Sequence, residues 1–246
     1  MPSLAEKVAI VTGASRGIGR AIALKLAEHG ASVTVNYAGN AEKAQEVVAE
    51  IEKLGSKAIA VQADISKVAE IQKLFDQTIE TFGKVDILVN NAGAIVYKPI
   101  IEVTEAEFDK IFAVNVKGTY FACQQAAHRM VDGGRIINFS SSTTAMMLPT
   151  YSAYVGTKGA VEQITRIVSK ELGSRGITVN AISPGPTDTE LFRQGKTEEQ
   201  INRLAQASAL GGLGQVQDIA DVVAFLASNK ARWITGQNIR VNGGVA

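Results

Sequence analysis

Short runs of apolar, often β-branched residues alternate along the chain with longer stretches in which apolar positions recur every three or four residues. The first pattern predicts buried strands and the second amphipathic helices. Residues 8–12 read as a strand and 17–30 as a helix, with Ile18, Ile22 and Leu26 on one stripe and Arg20, Lys25 and Glu28 elsewhere. Further strands are predicted at 32–36, 57–62, 85–90, 135–140, 178–183 and 237–241, and helices at 41–54, 67–82, 105–131, 152–174 and 217–228. Strands that are apolar nearly throughout must be covered on both faces. The pattern therefore predicts a Rossmann-type α/β fold, a doubly wound seven-stranded parallel sheet with helices on both faces. No linker or repeat interrupts it, so residues 1–246 are expected to form one domain. Residues 184–214 depart from the alternation, and about 186–214 read as a substrate loop or lid.

Charge and composition narrow the function. Lys and Arg total 25 against 24 Asp and Glu, with no basic run, which argues against a nucleic acid or an anionic membrane as partner. No segment approaches the ~18 apolar residues of a membrane span. Residues 1–5 lead into Glu6 and Lys7 without the basic start and apolar core of a leader, so the cytoplasm is the expected location. Cys123 is the only cysteine, which excludes an internal disulfide and argues against a thiolate metal site.

The first strand ends in Thr12-Gly13-Ala14-Ser15-Arg16-Gly17-Ile18-Gly19, and a helix begins at once. Glycine lets the chain turn sharply there and lets backbone approach a pyrophosphate, which the unpaired N–H groups of the helix start attract. A glycine turn alone occurs in many βα units; the strand–turn–helix context favours a dinucleotide. No Lys-Ser/Thr follows, which excludes a P-loop. The second strand ends Asn36-Tyr37-Ala38-Gly39-Asn40, without the acidic residue that holds the adenine ribose of NAD, and Arg16 supplies a cation for a 2′-phosphate. Both features favour NADP(H) over NAD(H).

Tyr154 and Lys158 stand four residues apart in a predicted helix and so share a face. At ~4 Å and an effective dielectric near 20, an ammonium attracts a phenolate by ~4 kcal/mol, enough to draw the phenol's pKa from ~10 toward neutrality. Ser141 precedes the tyrosine by 13 residues, at the carboxyl end of the fifth strand, where such sheets place ligands. Each feature also has an ordinary structural reading. A Tyr–Lys pair occurs on solvated helix faces, residues 140–144 are a polar run that makes a turn, and Asn115 satisfies a buried polar bond. Ser140 and Ser142 flank Ser141, and Tyr151 is a second tyrosine, although Val155 leaves it without a lysine partner.

Taken together, these residues resemble the short-chain dehydrogenase/reductase family along nearly the whole chain. Gly13, Ser15, Arg16, Gly17, Ile18 and Gly19 are similar to its cofactor loop, and Asn36, Tyr37 and Ala38 follow its second strand. Asp64-Ile65 resembles its adenine contact, and Asn90-Asn91-Ala92-Gly93 the segment that lines the cofactor. Asn115, Ser141, Tyr154 and Lys158 fall on its catalytic tetrad, while Pro184, Gly185, Thr187 and Thr189 resemble the turn at the nicotinamide end. The resemblance implies hydride transfer between NADPH and a carbonyl carbon. In that scheme Tyr154 is the general acid, Ser141 orients the carbonyl oxygen, Lys158 lowers the tyrosine pKa and holds the ribose, and Asn115 supports a water chain.

Within the family the chain is most similar to 3-oxoacyl-[acyl-carrier-protein] reductases and related NADPH-dependent carbonyl reductases, which implies a ketone or 3-oxoacyl thioester substrate. Docking of an acyl carrier protein calls for a basic patch. Arg129 and Arg175 contribute to one, but Met130-Val131-Asp132-Gly133-Gly134 is less basic than such a patch requires. Ile95, Val96, Tyr97, Met146, Met147, Leu148, Leu191 and Phe192 are expected to wall an apolar cleft, which favours free or aromatic ketones over sugars and polyols. The resemblance also implies a homotetramer built on the helices at 105–131 and 152–174 and the C-terminal strand. An NADP-binding sensor without activity is the reading from another class, and the presence of Ser141, Tyr154 and Lys158 argues against it.

Overall fold

The apolar runs pair side by side. The computed structural model of the chain describes residues 4–246, so the first three residues of the expected 1–246 domain and of the segment at 1–5 lie outside the described residues. Seven strands, β1 (Val8–Val11), β2 (Ser32–Tyr37), β3 (Ala58–Gln62), β4 (Ile87–Asn90), β5 (Arg135–Phe139), β6 (Thr178–Pro184) and β7 (Asn238–Val241), form one sheet. Their order is β3-β2-β1-β4-β5-β6-β7 and every pairing is parallel. The chain leaves β1 toward one edge and returns at β4 toward the other. A crevice therefore opens at the carboxyl ends of β1 and β4, the switch point where doubly wound sheets take ligands.

The helices are α1 (Gly17–Glu28), α2 (Ala41–Lys53), α3 (Val68–Phe82), α4 (Glu105–Phe112), α5 (Thr119–Arg129), α6 (Thr143–Met146), α7 (Ser152–Glu171), α8 (Glu190–Arg193), α9 (Glu198–Gln206) and α10 (Val216–Ala227). One face of the sheet packs Ile22 and Leu26 of α1, Val47 and Ile51 of α2 and Val223 of α10. The other packs Ile71, Leu74 and Phe75 of α3 with Ala122 and Ala126 of α5. Burial of each such large side chain contributes ~1.5–3 kcal/mol, which makes the platform under the crevice rigid.

Two departures from the sequence pattern matter. The single helix expected over 105–131 is interrupted by a π-helical turn, Ala113–Gly118. Gly118 comes so close to Ile65 that a Cβ there would lie 2.8 Å from its carbonyl oxygen, and Asn115 is buried inside the same turn. Apolar periodicity does not register one extra residue in a turn that stays helical, and such turns recur at functional sites. The irregular stretch after β6 also contains two helices, α8 and α9, and its ends meet where Asp188 donates to the Gly214 carbonyl and Gly214 to that of Pro186, both at 2.9 Å. Among the described residues no helix is long and apolar enough to cross a membrane.

Candidate active site

A cleft of about 720 Å³ runs along the carboxyl edge of the sheet from the start of α1 to α8 and α9. The residues that the sequence marked as cofactor contacts line it, as do Ser141, Tyr154 and Lys158; of the segment 90–93 only Asn90 does not, being buried against Asn138, and Asn115 lies just behind the wall, bonded to Ala94.

The loop between β1 and α1 is built to receive something else. Gly13 and Gly17 have φ of +62° and +54°, where a side chain is strained, and a Cβ at Gly13 would lie 3.0 Å from Ala92 Cα. A Cβ at Gly19 would collide with Asn91 Nδ2 and the Gly13 carbonyl. Asn91 Nδ2 donates to the carbonyls of Thr12 (2.8 Å) and Gly13 (3.2 Å), and Ala92 N–H donates to Thr12 Oγ1 (3.0 Å). The loop is thus held from behind, while no side chain caps the α1 N-terminus and its first turn carries no acidic residue. Bare N–H groups beside a glycine cradle fit a pyrophosphate.

At the outer end, Arg16 and Lys43 both reach Glu190 of α8, at 3.5 and 3.4 Å. Lys43 was missed in the sequence because it lies in the first turn of α2, beyond the strand end where a cation is looked for. Asp64 and Ile65 line the middle of the cleft. Burial pushes the Asp64 carboxyl up, but hydrogen bonds from Ser66 and the Lys67 charge outweigh it and hold it below the usual range. The Asn36 side chain is buried: it accepts from Gly13 N–H (3.1 Å) and donates to the Ala63 carbonyl (3.0 Å), so it shapes the loop from within.

At the inner end, β5 delivers Ser141 and α7 delivers Tyr154 and Lys158. The three serines separate cleanly. Ser140 donates to Glu162 (2.8 Å) and Ser142 to the Ser183 carbonyl (3.0 Å). Ser141 Oγ instead accepts from the N–H and hydroxyl of Thr143, at 3.3 and 2.9 Å. With both lone pairs occupied, its own proton is left for an acceptor in the cleft, and its hydrogen bonding acts to lower the Tyr154 hydroxyl's pKa. Lys158 is buried, donates to the Phe139 carbonyl at 2.7 Å, and its Nζ stands 5.6 Å from the centre of the Tyr154 ring. Tyr151 packs between the rings of Tyr97 and Tyr154, at 5.0 and 6.2 Å, and burial together with its two tyrosine neighbours pushes its hydroxyl up to about 12. Asn115 accepts from Ala94 N–H (2.8 Å) and donates to the Ala94 carbonyl (2.9 Å) and Thr157 (3.0 Å). Gly93 fits between Asn115 and Lys158, since a Cβ there would lie 3.4 Å from Asn115 Oδ1 and 3.7 Å from Lys158 Nζ.

The electrostatics correct one expectation. Lys158 was expected to draw the Tyr154 phenol toward neutrality. Burial instead raises the phenol above its ordinary value, against the hydrogen bond from Ser141. Burial also depresses the Lys158 ammonium, to about 8. Two charges in a dry site both suffer desolvation, and the Phe139 carbonyl, not the phenol oxygen, takes the ammonium's hydrogen bond. Near neutral pH the arrangement holds a protonated phenol beside a cationic lysine.

The far wall is formed by the turn after β6. Pro184, Gly185, Thr187 and Thr189 line the cleft. A Cβ at Gly185 would lie 2.7 Å from Asn242 Cα, while Thr187 donates to the Gly185 carbonyl (2.9 Å) and Thr189 caps α8 through Phe192 N–H (3.1 Å). Of the expected apolar walls, Ile95, Met146, Leu148, Leu191 and Phe192 face the cleft. Val96, Tyr97 and Met147 do not line it; Met147 caps α6 with φ +51° and is 80% exposed.

Comparison with known proteins agrees with this layout. Residues 13–246 match the family described as enoyl-(acyl carrier protein) reductase. A short-chain type dehydrogenase/reductase of Picea abies is 44% identical over 251 residues, covering 98% of this chain and 93% of its own. A hydroxynaphthalene reductase-like protein, Arp2 of Metarhizium brunneum, is 45% identical over 255 residues, covering 98% and 96%. The crystal structure of the angucycline C-6 ketoreductase LanV with bound NADP superposes with a TM-score of 0.94 at 46% identity, covering 99% and 97% of the two chains. The same enzyme, described as landomycin C-6 ketoreductase, is also known with NADP and rabelomycin, at a TM-score of 0.91, 46% identity and 99% and 98% coverage. The fold and the cleft define a Rossmann-type oxidoreductase. The chain belongs to the short-chain dehydrogenase/reductase family.

Proposed function

We propose that the protein is an NADPH-dependent ketoreductase acting on free ketones with apolar or aromatic character. The observation that carries this reading is the Ser141–Tyr154–Lys158 cluster at one end of a cleft whose other end is the bare, glycine-lined start of α1. The loop, Asn91–Gly93 and the turn at 184–189 are the residues that would hold NADP(H), and Arg16 with Lys43 would take its 2′-phosphate. Bound NADPH supplies the hydride.

Ser141 orients the carbonyl oxygen with the proton that Thr143 leaves it. Tyr154, kept protonated by burial, gives its proton to that oxygen as charge develops there. Lys158 stabilises the phenolate left behind and is held for that task by the Phe139 carbonyl. Asn115 locks Ala94 to Thr157 through its side-chain donors, and in the scheme that the resemblance implies it supports the water chain.

Two observations favour a free ketone over a carrier-bound 3-oxoacyl thioester. Arg129 is paired with Asp76, and Arg175 with Asp132 and the carbonyls of Ala127 and Met130, so neither arginine stands ready for an acidic partner. The inner cleft carries the apolar side chains of Ile95, Met146, Leu148, Leu191 and Phe192. The segment between Pro186 and Gly214 acts as a lid on this end. Exposed apolar side chains on α5 (Tyr120), α7 (Ile167) and before β7 (Trp233, 92% exposed) support assembly into a homotetramer.

The test is a panel of aromatic ketones, diketones, acetoacetyl thioester and crotonoyl thioester, followed at the NADPH absorbance band with NADH in parallel. Turnover of the ketones with NADPH, faster than of either thioester, is expected. Cofactor binding without turnover of any carbonyl would favour a sensor, and preference for crotonoyl thioester an enoyl reductase.

A further inference from the structure

Beside the lid, away from the Ser141–Tyr154–Lys158 cluster, a cation in the cleft wall has no counter-charge. Lys196, between α8 and α9, lines the cleft. Its Nζ stands 4.9 Å from the centre of the Phe192 ring and 5.7 Å from that of Tyr97, and donates to the Phe192 carbonyl at 2.7 Å. Among the described residues no carboxylate lies within 4 Å of it. The acids around it are committed elsewhere: Glu190 to Arg16 and Lys43, Asp188 and Glu198 to Arg193. Two of its three protons are left without an acceptor, and burial lowers its pKa below the usual lysine value. Every other lysine in the cleft wall has a role already: Lys43 holds Glu190 and Lys158 the Phe139 carbonyl.

A partly buried ammonium between two aromatic faces, with free donors toward an apolar cleft, is complementary to an anionic or strongly electron-rich oxygen on an aromatic frame. Tyr97 also links it to the proton donor through Tyr151, by ring-to-ring steps of 5.0 and 6.2 Å.

We infer that Lys196 is a substrate-recognition residue, and that the substrate is an aromatic ketone bearing an acidic oxygen, a phenolate or carboxylate, distinct from the carbonyl that is reduced. This rests on the ketoreductase reading above and specifies its substrate class. A lysine that merely clasped the lid would use the same ring contacts but would be indifferent to the ligand's charge.

The probe pair is 2-naphthoate and naphthalene-2-carboxamide, matched in shape and differing in charge, titrated calorimetrically into the NADP⁺-loaded protein. The wild type is expected to prefer the carboxylate by about fivefold, the upper end for a partly exposed ion pair, and the ratio should narrow as salt is raised. Lys196→Arg should keep the preference and Lys196→Met should bring the ratio toward one. No carboxylate preference in the wild type, or an unchanged ratio in Lys196→Met, overturns the inference. Ketone turnover by the wild type is measured alongside: turnover without charge preference sinks only this inference, and charge preference without turnover sinks the ketoreductase reading.

Discussion

The Lys158 ammonium donates to the Phe139 carbonyl oxygen at 2.7 Å, tying α7 to the carboxyl end of β5 beside Tyr154. This bond places a charge in a dry site, and burial depresses its pKa to about 8. Below that value the ammonium is present and can stabilise the phenolate that proton donation leaves; above it the charge is lost. Ketone reduction at saturating NADPH should therefore be level below about pH 8 and fall above it. Lys158→Met should lower kcat and remove the inflection. A kcat profile that stays flat well into the alkaline range would refute this.

Thr143 fills both lone pairs of Ser141 Oγ, the hydroxyl at 2.9 Å and the N–H at 3.3 Å. Thr143→Val removes the shorter bond and keeps the shape, leaving the serine hydroxyl free to rotate away. One such hydrogen bond is worth about 1 kcal/mol, so kcat should fall about fivefold. Ser141→Ala, which removes the donor to the carbonyl oxygen, should cost about 10²–10³. Steady-state kinetics of the two variants would show this order; equal effects, or none from Thr143→Val, would count against it.

Glu190 sits between Arg16 and Lys43 at 3.5 and 3.4 Å, where an anion is attracted. A 2′-phosphate must compete with that carboxylate. Glu190→Gln should therefore tighten NADPH binding by a few-fold and leave NADH binding unchanged, while Lys43→Ala weakens NADPH binding selectively, each by about 1 kcal/mol or less at this exposed site. Fluorescence titration of both cofactors reads the selectivity. Parallel changes for NADPH and NADH would contradict it.

The strands were legible because both faces of the sheet are covered, so Val8–Val11 had to be apolar throughout and Ile87–Asn90 apolar up to its last residue. Ser141, Tyr154 and Lys158 were legible from spacing, since one helical turn and one strand end fix which side chains share the crevice. The π turn at Ala113–Gly118 was not, because it changes the winding of a helix without changing its polarity pattern. The α9 helix carried a readable signal, the Thr197–Gln200 capping box, obscured by glycines and polar residues around it. The direction of the Tyr154 shift could not be read, because it depends on desolvation, and a one-dimensional pattern does not say how dry a site is. Lys43 and Lys196 are lone cations in sequence, and only the crevice shows which of them have a counter-charge.

The central claim is that the Tyr154 hydroxyl delivers the proton in ketone reduction. Tyr154→Phe keeps the ring and its packing against Tyr151 and removes only the oxygen. Turnover of the best ketone in the panel by this variant, with NADPH affinity measured on the same preparation, tests the claim most directly. The predicted result is a kcat lowered by about 10²–10⁴ with NADPH binding retained. Turnover within a few-fold of the wild type would contradict the account.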